Sequence, residues 1–214
     1  MQTKTVLRAQ AQFQVRQAIL EAARAVISTA GYAGLSMRRL AQDIGYTPKT
    51  LYRYFTDKDD LLSELIEEDL ERFVTHLEAV AASQGDAAHR LDAVAVAYVA
   101  YGIAHPHAYQ VMFLLREHPL SREAAVKQHH IQGRRLQELL RRVVSESGRV
   151  PTALDEHLVV QALRCALHGV VALRLVRPQA DWTAWETLVT HLVAGVVRGG
   201  LAKDEPTLRA SADT

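Results

Sequence analysis

The chain has 214 residues, 49% of them apolar, with a formal net charge of +1; that suffices for a real core in one medium domain or two small ones. One cysteine, Cys165, excludes an internal disulfide and fits a reducing compartment, and residues 1–13 are polar where a secretory signal would need an apolar segment. The longest apolar run, at 93–104, is too short to span a bilayer, so a cytoplasmic protein with no membrane partner is expected.

The charge is unevenly spread. Residues 1–58 hold nine Lys/Arg against three acids, whereas the remainder holds 16 against 21. A basic head on an acidic body is the electrostatic footprint of a DNA-binding part joined to one that need not touch DNA.

In chain order, Val15, Ile19, Ala22, Val26 and Ala30 keep helical spacing, and Gly31 closes a helix expected over 8–30. Ser36 stands at an N-cap, and Met37, Leu40, Ala41 and Ile44 recur at i, i+3, i+4 and i+7 on one side of a second helix. Gly45 can take the positive φ that ends it, and Thr47-Pro48 restarts a third, because threonine caps and proline is tolerated at the first position. There Pro48, Leu51 and Phe55 share one face, while Lys49 with Arg53 and Thr50 with Tyr54 pair on the others. Such an outer face suits a DNA groove, offering charge and hydroxyls to phosphates and forked groups to base edges. Periodicity alone is met equally by a helical hairpin whose outer charges are merely solvated.

Thr56-Asp57 caps a long helix over 57–82, with Leu62, Ile66, Leu70, Phe73, Leu77 and Val80 as its buried stripe and Asp60, Glu64, Glu67, Glu68 and Glu71 on its wet side. It joins the two halves and is the natural transmission rod. Residues 83–86 read as a boundary. Five helical segments follow, at about 87–104, 106–117, 121–147, 153–176 and 182–199, broken at His105-Pro106, Pro119, 148–151 and Arg177-Pro178. Thr152 and Asp155 have capping-box spacing, Asp181 can cap the last helix, and 206–214 is expected to fray. The expectation is an all-α chain of about nine helices: a helix-turn-helix head at 1–58, linked by helix 57–82 to a regulatory and dimerisation body at 59–205.

The run ILEAARAVISTAGYAGLSMRRLAQDIGYTPKTLYRYFTDKDDLL resembles, without a gap, the DNA-binding domain of the tetracycline-repressor-like (TetR) family of transcriptional regulators, over about 14–70. In the body, AYVAYGIAHPHAYQVMF and ALRCALHGVVALRL resemble the regulatory domain of one branch, marked by an aromatic, a His-Gly pair and an aliphatic run in the penultimate helix. Leu167 departs from it, standing where that branch often has tryptophan. The resemblance implies a homodimer on a pseudo-palindromic double-stranded operator, a small-molecule effector, and a repressor that the effector releases. At matching positions it implies that Arg38, Lys49, Thr50, Arg53 and Tyr54 face bases and that Thr47, Tyr52 and Lys58 grip the backbone; Lys4 and Arg8 precede them near the phosphates. It also implies dimerisation through the last two long helices.

Tyr98, Tyr101, Tyr109, Met112 and Phe113 supply aromatic and polarizable surface around the Pro106 break. Core packing accounts for any one of them, but a pocket between helices is where a bundle holds a ligand, with His105, Tyr109 and His168 as polar contacts and Cys165 beside His168 at i, i+3. No HxxxH or CxxC pair occurs, so no metal or other cofactor is expected, and Cys165 reads equally as a small buried hydrophobe. No phosphate-cradling loop, nucleophile elbow or flanked carboxylate pair suggests an enzyme. Apolar residues on more than one side of the penultimate helix, Ala162, Ala166, Val170 and Leu173, with Leu188, Leu192 and Gly195 of the last, fit a four-helix dimer interface; a helix central to a monomeric core is the alternative. A small-molecule binder that no longer reads DNA and a helical-bundle enzyme remain as rival functions.

Overall fold

Local capping chemistry sets the first elements. In the computed structural model, which describes residues 2–83, 85–114, 122–152 and 154–198, helix α1 (Gln2–Ala30) begins earlier than expected and buries Ile19, Leu20, Ala23 and Ile27. Gly31, at φ 69°, ends it in the left-handed region that favours glycine, and a 3₁₀ turn over Tyr32–Gly34 follows. Ser36 caps α2 (Met37–Asp43), and Gly45, at φ 73°, turns the chain toward α3 (Pro48–Leu51). Thr47 Oγ1 accepts the Thr50 amide at 3.2 Å. α3 is shorter than the spacing of Pro48, Leu51 and Phe55 suggests. After Leu51 the amides of Arg53 and Tyr54 bond three residues back, at 3.2 and 2.9 Å, tightening the chain so that Phe55 turns into the core.

Asp57 opens α4 (Lys58–Ser83) by accepting the amides of Asp59 and Asp60 at 2.9 and 2.8 Å, while the Asp60 carboxylate accepts the Thr56 amide at 2.8 Å. Burial on α4 is broader than one stripe. Of the expected stripe Val80 is only half-buried, whereas Leu61, Leu65, Val74 and Ala81 are buried in addition, and so is one acid, Asp69, because α1, α5 and α7 pack around the helix.

Asp86 caps α5 (Ala87–Ala104), and His105-Pro106 separates it from α6 (Pro106–Tyr109). α6 does not continue as a plain helix: its ladder widens into a π turn over Gln110–Leu114. Residues 115–117, the expected break at Pro119 and the tail 206–214 lie outside the described residues. α7 (Arg122–Glu146) precedes Gly148, at φ 62°; α8 (Glu156–Val176) and α9 (Trp185–Val197) complete the body. Asp155 itself caps α8, accepting the His157 amide at 2.9 Å, so the cap does not fall on Thr152. α9 begins three residues later than expected, with Ala184 at the cap position, and Asp181 remains in the preceding loop. The described residues contain no strand, and the fold is all-α, with an N-terminal helix-turn-helix.

α8 is long and apolar enough to cross a bilayer by length and composition alone, with a mean hydropathy of 1.6. A search for unbroken apolar runs overlooks it, because Arg164 and Arg174 interrupt the run. Its inner side, Val159, Leu163, Leu167 and Val171, belongs to the body core.

Two apolar cores result. The head core gathers α1, α2, Leu51, Phe55 and α4 up to Leu70; the body core takes α4 from Phe73 onward together with α5, Tyr109, α7, α8 and α9. The chain crosses back at α6 and the π turn after it, where Tyr109 is buried in the body core and Val111 in the head core, with Met112 and Phe113 touching both. Phe73 stands at the junction, its ring 4.9 Å from Tyr98 and 5.1 Å from Tyr101. One polar chain lies inside the body: the Tyr109 hydroxyl is 2.8 Å from His168 Nδ1 and 3.4 Å from the Tyr98 hydroxyl. Burial, with a smaller contribution from Arg164, holds the His168 imidazole below its ordinary value and so favours its neutral form.

A Cβ at Gly102 would stand 2.6 Å from a Val171 methyl and 3.0 Å from the Tyr109 ring, whereas one at Gly133 meets nothing within 4 Å. Urea unfolding should show Gly102→Ala destabilised by roughly 1–3 kcal/mol and Gly133→Ala stabilised by up to about 1 kcal/mol. Because His168 is depressed in the native state, the unfolded chain binds more protons as pH falls below the ordinary histidine value. Stability should therefore fall as pH drops through the ordinary histidine value of about 6.5, and fall less in His168→Gln, as read from denaturation midpoints.

Candidate nucleic-acid interface and its link to the body

Capping of α3 by Thr47 and the inward turn of Phe55 leave the residues between them facing out. Lys49 and Arg53 are exposed, Tyr52 is 53% exposed, and Thr50 and Tyr54 are half-buried, the latter against the head core. Arg38 is exposed on α2, one helix away. The Thr47 hydroxyl is engaged within the turn, 2.9 Å from that of Thr50. Lys58 is half-buried, its Nζ 4.0 Å from the centre of the Tyr32 ring, and the Tyr32 hydroxyl bonds Asp59. Among the described residues Arg38, Lys49 and Arg53 make no salt bridge.

The basic excess of the head is therefore not all directed outward. Arg16 pairs with Glu64 and Arg24 with Asp69, both across to α4, and Arg39 lies 3.9 Å from Asp43. The Arg24–Asp69 pair is a feature sequence reasoning missed. Arg24 Nε lies 3.1 and 3.0 Å from the two Asp69 oxygens and Nη2 lies 2.6 Å from Oδ1, with both residues buried, at 7% and 1% exposure. Its signal was present: Arg24 falls four residues after Leu20 and three before Ile27, on the apolar stripe of α1. Burial pushes the Asp69 carboxyl up from its ordinary value against the pull of Arg24. Desolvation opposes the Arg24 charge, yet its hydrogen bonds to Asp69 hold it above its own.

The residues singled out in the body separate into three places. Tyr98, Tyr109, Phe113 and His168 come together: Tyr109 lies 4.8 Å from Phe113 and stacks on His168 at 5.6 Å, with Met112 half-buried beside them at the seam between cores. Tyr101 and His105, their rings 4.4 Å apart, instead wall a cavity of about 260 Å³ shared with Arg24, Asp69 and Arg72. Cys165 is exposed on α8. Along α8 and α9, Val170 is buried, Ala162, Ala166, Leu188 and Leu192 are half-buried, and Leu173 and Gly195 are exposed. Leu158 and Val176 extend that apolar face, and a Cβ at Gly169 or Gly195 would meet nothing within 4 Å. No cluster of three or more metal-ligating side chains occurs among the described residues.

The chain matches two family models, the bacterial regulatory proteins of the tetR family over residues 19–65 and the tetracyclin repressor-like C-terminal domain over residues 91–196. HTH-type transcriptional regulators of Staphylococcus aureus strains USA300 and NCTC 8325 are 40% identical over 65 residues, 30% of this chain. The match spans 35% of the length of those curated relatives. Among solved structures, FadR from Bacillus subtilis in complex with stearoyl-CoA aligns with a TM-score of 0.72 at 22% identity, covering 86% of this chain and 98% of that one. PfmR, a TetR family regulator from Thermus thermophilus, aligns at 0.69 and 25% identity, covering 84% and 97%. The FadR likeness speaks to the fold; the two family models, matching head and body in turn along one chain, show that this protein belongs to the TetR family of bacterial transcriptional regulators.

Proposed function

We propose that this chain is a homodimeric repressor in the cytoplasm that binds a pseudo-palindromic operator and releases it when a small molecule enters the body. The observation that carries the reading is the outward face of the helix-turn-helix: Arg38 and Lys49 project from capped helices and Arg53 from the turn after α3, without an ion pair among the described residues. Cations kept free of intramolecular partners suit phosphate and base contacts. Arg38, Lys49, Thr50, Arg53 and Tyr54 face base edges in the major groove, and Thr47, Tyr52 and Lys58 hold the backbone. Residues 1–58 serve as the DNA-binding head, and 59–205 serve as the regulatory and dimerisation body.

Dimerisation uses Ala162, Ala166, Val170 and Leu173 with Leu188, Leu192 and Gly195. Supporting it is an apolar face that the single chain leaves uncovered, on which Leu173 is 53% and Val176 72% exposed. Two copies packed there place two heads on one side of a duplex.

The effector occupies the region of Tyr98, Tyr109, Met112, Phe113 and His168, bordered by Tyr101, His105 and Cys165. Its surroundings favour a mostly apolar molecule with one polar group to meet the Tyr109–His168 pair. Stearoyl-CoA, bound by the structurally similar FadR, makes a long-chain acyl thioester the first compound to test. Release follows if the effector favours a head separation that no longer matches successive grooves, and it shifts that equilibrium only by its differential affinity for the two arrangements.

Selection of duplex DNA by the full-length protein at fixed salt should yield an inverted repeat; enrichment of none would leave a ligand-binding protein that does not read DNA. On the selected site Lys58→Ala should weaken operator and random DNA alike and reduce the salt slope by about one unit, whereas Arg53→Ala should relax sequence preference at one position per half-site. Equal losses on both DNAs for both variants would contradict this division of labour. In native mass spectrometry Leu173→Glu should shift dimer toward monomer, and an unchanged dimer would place the interface elsewhere.

A further inference from the structure

We infer that the buried Arg24–Asp69 pair is the latch that fixes the angle of the head relative to the body. Three observations converge on it. The pair joins α1 to α4 at the edge of the level where burial on α4 passes from head core to body core: Asp69 immediately precedes Leu70, the last head-core residue of α4, and Phe73 is the first of the body core. Apolar contacts are non-directional and let helices slide, whereas a guanidinium fork on a carboxylate has one geometry; Arg24 makes three contacts with Asp69 and turns its remaining amino group to Glu21.

The second observation is energetic. Both partners are almost wholly withdrawn from water, and two opposite charges in that setting are stable together and costly apart. The contact is therefore all or none rather than gradually compliant. A latch needs that property; a hydrophobic seam lacks it.

The third is the cavity of about 260 Å³ against the pair. Its far wall is Tyr101, His105, Pro106, His107 and Ala108, the corner between α5 and α6, and Tyr101 also leans on Phe73. Beyond that corner Tyr109 and Val111 enter opposite cores. A shift of the corner therefore bears on the latch directly. The cavity also has room for several waters to solvate an opened pair, which gives the open state a place to exist. Arg24 and Asp69 are thus positioning residues: they act on DNA only through the head they hold, and that functional consequence rests on the proposed DNA-binding reading.

Two readouts separate the latch from that reading. Spin labels at Gln42 on the head and Gln137 on the body, attached through a genetically encoded ketone side chain and diluted with unlabelled protein, report head orientation without DNA. The wild type should give one narrow distance distribution, and Asp69→Asn and the charge-free Arg24→Met/Asp69→Leu should at least double its width while their circular dichroism stays helical. An unchanged width in a folded variant would overturn the latch whatever the DNA results. On selected operators with half-site spacing altered by two base pairs, the wild type should lose roughly tenfold or more in affinity and the variants less than about threefold, with single half-sites bound alike. A parallel loss at every spacing would assign the pair a merely structural role. Failure of the wild type to select any inverted repeat refutes the DNA reading and leaves the orientation measurement to decide the latch.

Discussion

The molecule depends on a single continuous helix serving two cores. α4 gives Leu61 to Leu70 to the head and Phe73 to Ala81 to the body without a break in its ladder. An α-helix is stiff over its 26 residues because each added residue brings one hydrogen bond, so a rotation at one end is transmitted to the other. Every other connection between the halves has to be compatible with that rod. α1 is clamped to it by a buried charge pair, and the π turn after α6 slips Val111 under the head while Tyr109 stays in the body. The seam thus includes one rigid member and two contacts of discrete geometry.

This arrangement also explains why the functional halves differ in kind. The head is small and is shaped by local devices: a glycine at positive φ after α1, another after α2, a threonine cap and a proline at the start of α3. Such devices act within a few residues and place Lys49 and Arg53 outward whatever the body does. The body has caps at Asp86 and Asp155 and a glycine at positive φ, Gly148, but these set helix ends and not its interior. Its Tyr98–Tyr109–His168 chain is brought together from three separate helices by apolar packing around Phe73 and Val171, so its shape can respond to what is packed into it.

The α8–α9 face follows the same logic on a larger scale. Among the described residues, helices whose inner sides already fill a core have no internal use for Leu158, Leu173 or Val176, and the glycines with open space above them have no internal partner either. A face of this composition is compatible with close approach of a second apolar surface.

The sequence by itself determined the helical content, the two-helix reader with its caps, and the basic head. These follow from spacing and capping residues, which act over one or two turns. The family resemblance was legible in the same stretch for the same reason. Only the tertiary structure decided where three helices begin and end, since the shortening of α3 after Leu51, the π turn at Gln110 and the late start of α9 do not follow from spacing or capping residues. It alone joined Arg24 to Asp69, 45 residues apart, and removed two arginines from the outward charge of the head. It also divided one list of aromatic and histidine residues between a body core, a seam cavity and an outer face. Pairings across that distance depend on which helices meet and at what height, information that no local period carries.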